Sequence, residues 1–470
     1  MDTEDFARTY AAFLRHVIAL EPAEDTPISR LIREHLEVDP RALAVIALSL
    51  PAHDHPNLQR AIDAWAASPG RDVTVLGLGI PNRRFNPMSL GELLQPVQRG
   101  LHGGAVVDVG PVDYRSCPVS LTESLSCIQH GLVLMVDGDV PLVALVHGPT
   151  EHSEDLEVEL LAAEAPTAER VVAELRDLVR EHDVHRGQAI VLGTRHGPYH
   201  AGSPTVEFVA TEVVARDDVI LPAGALEQIE QQTLGVTQRA AALRAAGQPL
   251  KRGLLLYGPP GTGKTHTLTH LMGRMPDRTT IVLSGTAFGM IAPAAEMARA
   301  LAPSMLVMED VDLVAQERDI GPQGTQPLLF ELLNEMDGIG PDADVIFALT
   351  TNRADLLEPA LAQRPGRIDL AVEIPLPDAD GRRRLLATYG RGFDLTDADR
   401  DAVVTRTDGV TASFLRELCR RAVLHAAGPD GPVPTVGAAH VSAALDELLG
   451  NADELRRRMT GSAGGRAGFA

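Results

Sequence analysis

The feature that most constrains the fold is a glycine-rich segment near the middle of the chain. It reads Gly258-Pro-Pro-Gly-Thr-Gly-Lys264-Thr265 and satisfies every specified position of the phosphate-loop pattern G-x-x-x-x-G-K-[S/T]. This pattern requires a buried strand before it and a helix after it. The apolar run 253–257 and the helical pattern 266–272 supply both. We therefore predict an α/β domain whose parallel sheet is flanked by helices.

Each residue type in this loop has a physical reason. Glycines let the backbone turn with φ > 0 and present amide N–H groups to phosphate oxygens. Lys264 adds a positive charge, the Thr265 hydroxyl is placed to ligate Mg²⁺, and the anion lies on the N-terminus of the following helix. We therefore predict ATP and Mg²⁺ as cofactors, with the nucleotide bound by Gly258, Pro259, Pro260, Gly261, Thr262, Gly263, Lys264, Thr265 and His266.

Two further apolar runs, 305–308 and 345–350, are predicted to be strands of the same sheet. The first ends in Glu309 and Asp310, and Asn352 follows the second. Acids at the carboxyl end of a buried parallel strand face the crevice where nucleotide binds. One acid is needed near Mg²⁺ and one to polarise the attacking water, while an amide can bind both that water and the γ-phosphate. These three side chains are therefore predicted to be catalytic.

Two arginines, Arg364 and Arg367, flank a Pro-Gly pair beyond the last of these strands. They cannot easily fold back onto the phosphate of their own chain. We therefore predict that they act on a neighbouring subunit, where arginine stabilises the charge spread over the transferring phosphoryl group. Taken alone, this segment is equally consistent with an arginine-rich turn on a solvated face.

The spacing of these motifs resembles that of the AAA ATPase family, over about residues 216–459. The segments Leu332-Leu-Asn-Glu-Met-Asp-Gly338 and Arg364-Pro-Gly-Arg367 are especially specific to it. The resemblance implies an α/β nucleotide domain, a small helical lid and a homo-oligomeric ring, with a hexamer expected and a heptamer left open. It also implies Walker A at 258–265, Walker B at Glu309 and Asp310, sensor 1 at Asn352, and arginine fingers at Arg364 and Arg367.

One departure from the family concerns the order of the Walker B acids. Most members have Asp-Glu, whereas here Glu309 precedes Asp310. The same inversion occurs in AAA proteins similar to the mitochondrial translocase of the Rieske iron–sulfur protein. By position Glu309 takes the Mg²⁺ role and Asp310 the water-polarising role. A base works only within hydrogen-bond reach, so the shorter aspartate arm is compatible with slow hydrolysis.

Length and composition bound the remaining possibilities. The 470 residues are enough for two or three domains, and the net charge of −22 has the wrong sign for non-specific nucleic-acid binding. Three scattered cysteines form no disulfide framework, and the acidic start is no signal peptide. No apolar run is long enough to span a bilayer, and the sequence has no His-Glu-x-x-His zinc helix, which membrane AAA proteases need. We therefore expect a cytoplasmic protein.

The half outside the resemblance contains no recognisable enzyme motif. Residues 1–70 are predicted to be helical, because apolar residues recur there at helical spacing. They are Phe6, Tyr10, Phe13, Val17 and Leu20, and then Leu58, Ile62 and Trp65. Such stripes usually face a core, and a partner-docking helix pair is the alternative. Residues 71–215 are predicted to be an α+β domain that recognises a substrate or partner, followed by the nucleotide domain (216–376), the lid (377–459) and a disordered tail (460–470).

Our leading hypothesis is a ring ATPase that unfolds, translocates or disassembles protein substrates. Phe288 follows a predicted strand at 280–283, where a pore loop would lie, and its ring could grip a polypeptide. The alternative for Phe288 is an ordinary core position. The alternative function is an ATP-controlled assembly or signalling module that binds a partner without threading it. A nucleic-acid remodeller is a distant third.

Overall fold

The computed structural model describes residues 2–20, 25–79, 88–96, 107–150, 156–197, 200–312, 327–340, 342–353, 367–427 and 435–463. The chain forms two compact units. Met1–Arg186 and Gly193–Phe208 make the N-terminal unit, while Gly187–Leu192 and Val209–Ala470 make the C-terminal unit. The division therefore lies upstream of the predicted boundary at residue 216, and the chain passes between the units three times.

The N-terminal unit is built on an antiparallel sheet. Its strands lie in the order β1-β7-β6-β5-β2-β3, and the long β5 pairs with β4 through its first half and with β2 through its second. Gly138 has φ +66° in the turn of the hairpin that joins β5 to β6. The strands are β1 (Ile46–Leu50), β2 (Arg71–Gly79), β3 (Asp108–Gly110), β4 (Asp113–Pro118), β5 (Ser124–Asp137), β6 (Val140–His147) and β7 (Leu156–Ala162).

Helices cover both faces of this sheet. On one face α3 (His55–Ala66) and α5 (Ala165–Glu181) bury their apolar stripes, including Leu58, Ile62 and Trp65. On the other face lie α2 (Pro27–Leu36) and the short α4 (Leu90–Leu93). Residues 1–70 therefore supply β1, α2 and α3 to the same layered unit as residues 71–186, because the apolar faces of those elements need the sheet to cover them.

The first helix, α1 (Thr3–Leu20), departs from the expectation of a helical core. Its aromatic side chains Phe6, Tyr10 and Phe13 are 52%, 52% and 58% exposed. Phe6 and Tyr10 stack on each other, with ring centroids 5.8 Å apart. The core interpretation is thus correct for α3 and wrong for these aromatics of α1, because the same helical periodicity fits either a buried or a solvated stripe.

The C-terminal unit is built on a parallel sheet. Its strands lie in the order β14-β10-β13-β12-β11-β8, and β9 pairs with β8. Every residue of β12 and of β13 is buried. Residues Ala189 to Val191 of β8 pair with β11, and this part of the strand belongs to the C-terminal unit. The strands are β8 (Ala189–Gly197), β10 (Arg252–Tyr257), β11 (Thr279–Leu283), β12 (Ser304–Met308), β13 (Val345–Thr351) and β14 (Leu370–Glu373). Residues Gly193–Phe208, which include β9 (His200–Phe208), are assigned to the N-terminal unit.

Helices lie between the strands of this sheet along the chain. They are α6 (Ala225–Gln232), α7 (Leu234–Gln238), α8 (Ala240–Ala245), α9 (Lys264–Gly273), α10 (Ile291–Ala300) and α11 (Pro327–Gly338). Four more form the lid around a core of their own: α12 (Ala379–Tyr389), α13 (Asp397–Arg406), α14 (Ala412–Ala426) and α15 (Ala438–Ala463). The predicted fold class is confirmed. Residues 460–463 belong to α15, and the rest of the predicted tail lies outside the described residues. Across the described ranges, none of the helices has the length and apolarity that a bilayer crossing requires.

Candidate active site

The glycine-rich loop joins β10 to α9, as its motif requires. Gly258, Gly261 and Gly263 have φ values of +142°, +75° and +110°, a region that side-chain-bearing residues rarely adopt. A Cβ atom on Gly258 would lie 2.2 Å from the carbonyl oxygen of Ile374, and one on Gly261 would lie 2.3 Å from Oγ of Ser413. The loop therefore needs glycine for backbone conformation and for space, and it presents its amides at the N-terminus of α9, where an anion binds.

Lys264 is the first residue of α9, and its side chain is buried beneath the loop. Its Nζ donates hydrogen bonds to the carbonyl oxygens of Gly258 and Pro259, both at 2.9 Å, and to Oδ1 of Asn352 at 2.8 Å. Burial lowers the pKa of the Lys264 ammonium, and the charges of Asp310 and Asp312 oppose that shift. A buried cation with these neutral acceptors is suited to an anionic ligand such as a triphosphate.

Asn352 connects the lysine to the acidic end of β12. Its Nδ2 donates to Oδ1 of Asp310 at 3.0 Å, while its Oδ1 accepts from Lys264. Because β10, β13 and β12 are adjacent and parallel, the residues that follow them meet at one edge of the sheet. The structure therefore brings together three residues predicted from separate motifs in a continuous hydrogen-bond chain, Lys264–Asn352–Asp310.

Asp310 adopts a left-handed conformation, with φ +53°. For a residue other than glycine this costs about 1–2 kcal/mol, although aspartate tolerates it better than most. Two hydrogen bonds hold the turn: the amide of Asp310 donates to Oγ1 of Thr350 at 2.9 Å, and that of Val311 to the Thr350 carbonyl at 2.9 Å. Glu309, just before the turn, is half-buried and donates its amide to the Leu283 carbonyl at 3.3 Å. The turn follows β12 directly and leaves the Asp310 carboxylate in contact with Asn352.

Asp312 is a member of the site to which sequence reasoning gave no role. Its carboxylate is almost fully buried, and Oδ1 accepts from Oγ1 of Thr351 and from the amide of Asn352, both at 3.0 Å. It acts on the backbone that carries Asn352, so it is a positioning residue. The available signal was its place in the acidic stretch that follows β12, two residues after Asp310.

The lid also reaches the phosphate loop, a contact that sequence reasoning missed. The amide of Ser413, in the first turn of α14, donates to the carbonyl oxygen of Gly261 at 3.1 Å. Thr411 caps this helix, because its Oγ1 accepts from the amide of Phe414 at 3.2 Å. A threonine before a helical apolar pattern is a recognisable helix start, but its proximity to residue 261 comes only from the tertiary fold.

The side chains predicted to hold Mg²⁺ have suitable chemistry. Thr265 lies in the first turn of α9 with an exposed side chain, and Glu309 lies at the end of β12. Hydroxyl and carboxylate oxygens are donors that this hard cation prefers. The donor set therefore fits Mg²⁺ bound together with the phosphates. His266 follows in α9 and is half-buried.

Comparison with known proteins agrees with this geometry. The model of the ATPase family associated with various cellular activities (AAA) matches residues 254–376, a range that holds the phosphate loop, both acids and Asn352. The chain contains an AAA ATPase domain.

Relatives match the same half of the chain. It is 34% identical over 246 residues to the ATP-dependent zinc metalloprotease FtsH of Mycobacterium bovis, covering 48% of this chain and 32% of that protein. It is 33% identical over 217 residues to the proteasome-activating nucleotidase of Methanopyrus kandleri, covering 43% and 49%. It is also 33% identical over 213 residues to the proteasome-activating nucleotidase of Methanothermobacter thermautotrophicus, covering 42% of this chain and 51% of that protein. The chain thus spans between a third and a half of the length of these relatives.

Of the two predicted arginine fingers of the AAA domain, one lies within the described residues. Arg364 lies outside the described residues. Arg367 is only 7% exposed, and its guanidinium donates to both carboxylate oxygens of Asp337, at 3.1 and 2.7 Å. This hydrogen-bonded pair raises the pKa of Arg367. Action on a neighbouring subunit stays a prediction, and for Arg367 it requires this internal pair to open.

The backbone around Arg367 is also anchored within the AAA domain. The amide of Gly253 donates to Oδ2 of Asp369 at 2.9 Å, and the amide of Asp369 returns a bond to the Gly253 carbonyl at 2.9 Å. A Cβ atom on Gly253 would lie 1.8 Å from the carbonyl oxygen of Arg367. The segment 367–369 therefore lies directly against the start of β10.

Phe288 occupies a core position in the AAA domain. It lies in the short 3₁₀ segment Gly285–Met290 between β11 and α10, and its side chain is 4% exposed. Ala287 and Met290, on either side, are also buried. The core interpretation of Phe288 is confirmed for this chain, whereas a ring available to grip a polypeptide is not, because the side chain packs inward before α10 begins.

Proposed function

We propose that this chain is an ATP-hydrolysing AAA protein that assembles into a homo-oligomeric ring and remodels a protein partner. The observation that carries the proposal is the hydrogen-bond chain Lys264–Asn352–Asp310. It links a phosphate-binding cation, an amide suited to orient water, and a carboxylate suited to accept a proton. The relatives, an ATP-dependent protease and a proteasome-activating nucleotidase by name, support a role in protein processing.

In the proposed mechanism, the loop amides and Lys264 hold the phosphates of ATP, and Lys264 exchanges its protein acceptors for phosphate oxygens. Thr265 and Glu309 would hold Mg²⁺, which would neutralise charge on the phosphates. Asp310 accepts the proton of the attacking water, and Asn352 orients that water. Asp312 keeps Asn352 in place through the bond to its backbone amide.

The proposed ring follows from the arginine motif. An arginine from the neighbouring subunit would stabilise the transition-state charge, so each site would be complete only at a contact between two copies. Arg364 is the proposed donor. Arg367 joins it only if the pair with Asp337 opens on assembly. The mass of the ATP-bound particle in solution would distinguish a ring of six subunits from a ring of seven.

The test of the hydrolytic roles is a pair of isosteric variants. Asp310→Asn should keep ATP affinity within a few-fold and lose turnover by roughly 10²–10⁴, the usual contribution of a general base. Glu309→Gln should instead raise the Mg²⁺ concentration that turnover requires. Asp380→Asn, an exposed acid at the start of α12, is the matched control. If Asp310→Asn turns over normally and Glu309→Gln does not, the two roles are exchanged; if both turn over normally, the proposed mechanism fails.

A second function, an ATP-controlled assembly module that does not thread its partner, is favoured by the burial of Phe288. The two functions differ in how turnover responds to a polypeptide. We expect a remodelling ATPase to hydrolyse ATP faster when an unstructured model polypeptide such as casein is added. Slow, unstimulated turnover together with nucleotide-dependent oligomer formation would instead select the assembly module.

A further inference from the structure

Two thiols and an imidazole meet on one face of the N-terminal sheet. Cys117 lies on β4, Cys127 on β5 and His55 at the start of α3, and all three are buried. In the strand register Cys117 faces Leu125, and Cys127 faces Arg115. The cysteines therefore occupy diagonal positions on the same side of the hairpin, from which side chains reach each other. The Cys127 thiol donates to the carbonyl oxygen of Leu125, with Sγ and that oxygen 3.6 Å apart.

Both ring nitrogens of His55 have hydrogen-bond partners, which hold the ring in one orientation. Its Nε2 lies 2.8 Å from the carbonyl oxygen of Ile128, which only accepts, so Nε2 carries the proton. Nδ1 is then an acceptor, and it lies 3.6 Å from Sγ of Cys117. Gly148 closes the other side, because a Cβ atom there would lie 2.9 Å from Cε1 of His55. The imidazole is thus held ready to accept the Cys117 proton.

The two thiols are chemically unequal. The neighbouring Cys127 thiol lowers the pKa of Cys117, with help from His55 and Arg115 and against the effect of burial. The Cys117 thiol and burial raise the pKa of Cys127, and Asp63 of α3 adds to that rise. Cys117 keeps 7% exposure, whereas Cys127 has none. The pair therefore places a thiol with a lowered pKa, the less buried of the two, beside a thiol with a raised pKa.

We propose that Cys117 and Cys127 form a peroxide-reactive dithiol site, in which hydrogen peroxide oxidises Cys117 and Cys127 then resolves it as a disulfide. In the first step the Cys117 thiolate attacks one peroxide oxygen and the O–O bond breaks. Hydroxide leaves, takes up the proton that His55 received from Cys117, and becomes water. This step leaves a sulfenic acid on Cys117.

In the second step Cys127 sulfur attacks Cys117 sulfur, the S–S bond forms and the S–O bond breaks. The hydroxide that leaves takes the Cys127 proton and becomes a second water. Two thiols are thereby oxidised by two electrons, and one peroxide is reduced to two waters. The disulfide ties β4 to β5, and a dithiol reductant reverses it by exchange.

The first experiment treats the folded full-length chain with hydrogen peroxide, alkylates the remaining thiols, and identifies digested peptides by mass spectrometry. We expect a 117–127 linked peptide that has lost two hydrogen atoms and disappears after dithiothreitol. Cys419 is the internal control, because burial in α14 raises its pKa to about 12. Oxidation of Cys419 as fast as Cys117, or absence of the linked peptide in a chain that stays folded, would overturn the proposal.

Two serine variants separate the steps. Cys127→Ser should stop at the sulfenic acid of Cys117, which dimedone traps, whereas Cys117→Ser should leave Cys127 unoxidised. Cys419→Ser is the matched control and should form the disulfide at the normal rate. Dimedone labelling of Cys127 in Cys117→Ser would reverse the order of attack and contradict the proposed roles.

The role of His55 is tested by a pH profile. Glutamine can keep the donation to Ile128 but lacks the Nδ1 acceptor, so His55→Gln should fold with a similar melting temperature. Between pH 8 and pH 6 the wild-type oxidation rate should stay within about twofold. In the variant it should fall more steeply with pH, because one of the groups that lower the pKa of Cys117 has been removed. A wild-type rate that falls as steeply as the variant's would remove His55 from the proposal.

Discussion

The two sheets of this molecule bring reactive side chains together in different ways. In the parallel sheet of the C-terminal unit, Lys264, Asp310 and Asn352 each lie within a few residues of the end of a strand. In the antiparallel sheet of the N-terminal unit, His55 and Cys117 meet on a face although they are 62 positions apart in sequence. A site at strand ends can be predicted from local sequence motifs. A site on a sheet face depends on the strand register, so neighbouring residues in the sequence do not predict it.

The largest expected effect is at the lysine of the strand-end site. Lys264→Ala should lower ATP affinity on the order of 10³-fold or more, because several hydrogen bonds from a charged donor are lost, each worth about 1.5–3 kcal/mol. ATP affinity measured by calorimetry checks this. Lys251→Ala is the matched control, because Lys251 is the other lysine of the chain and its Nζ bonds the Met336 carbonyl.

A chemical version of this test uses the small number of amines. With an amine-reactive reagent, ATP should protect Lys264 from modification and leave Lys251 unaffected. Equal protection of both, or normal ATP binding by Lys264→Ala, would show that the strand-end site is not where the phosphates bind.

The arginine motif gives the next largest effect. Arg364→Ala should lower turnover on the order of 10³-fold with an unchanged melting temperature, as expected of an arginine that acts only in the transition state. Arg367→Ala should instead lower stability by about 1–3 kcal/mol, because the buried Arg367 side chain and its hydrogen bonds to the Asp337 carboxylate are lost. Turnover assays and chemical denaturation separate the two effects, and Asp337→Asn is the control that should reproduce the loss of stability.

Mixing decides whether the arginine acts between subunits. Inactive Lys264→Ala and Arg364→Ala chains should recover part of the activity when mixed, since some contacts then combine an intact loop with an intact arginine. No recovery despite subunit exchange, followed by native mass spectrometry, would count against completion of the site by a neighbour.

These contrasts show what could be predicted from the sequence. The phosphate loop, the acids, Asn352 and the parallel sheet were predictable, because each motif lies beside the apolar strand that positions it. The ion pair between Arg367 and Asp337 and the contact of Ser413 with Gly261 were not, because their partners are distant in sequence. The exposure of the α1 aromatics and the burial of Phe288 could not be predicted for a related reason. Residue type and spacing do not say what covers a side chain.

The division of the chain can be sharpened by two fragments. The sequence predicts that the nucleotide domain starts at residue 216, but β8 pairs with β11, and Ile190, Leu192 and Val214 are buried. A fragment 216–470 should therefore be less stable than 187–470 by about 4.5–9 kcal/mol, at roughly 1.5–3 kcal/mol for each of these three side chains removed. Urea denaturation of the two fragments checks this. Equal stability would mean that β8 contributes nothing to the sheet.

The smallest effect distinguishes a core phenylalanine from one that grips a substrate. Phe288→Leu conserves most of the volume and should cost less than about 1.5 kcal/mol, whereas Phe288→Ala leaves a cavity and should cost about 3–5 kcal/mol. An exposed ring would show almost no change in stability in either variant and a loss of polypeptide-stimulated turnover in both. Denaturation and turnover, measured on the same preparations, therefore give opposite patterns for the two interpretations. Phe13→Leu, a change in an exposed ring of α1, is the control for a phenylalanine that no core surrounds. A Phe288→Leu variant with wild-type stability and no stimulation by casein would instead support an exposed ring that grips the polypeptide, and with it the threading mechanism.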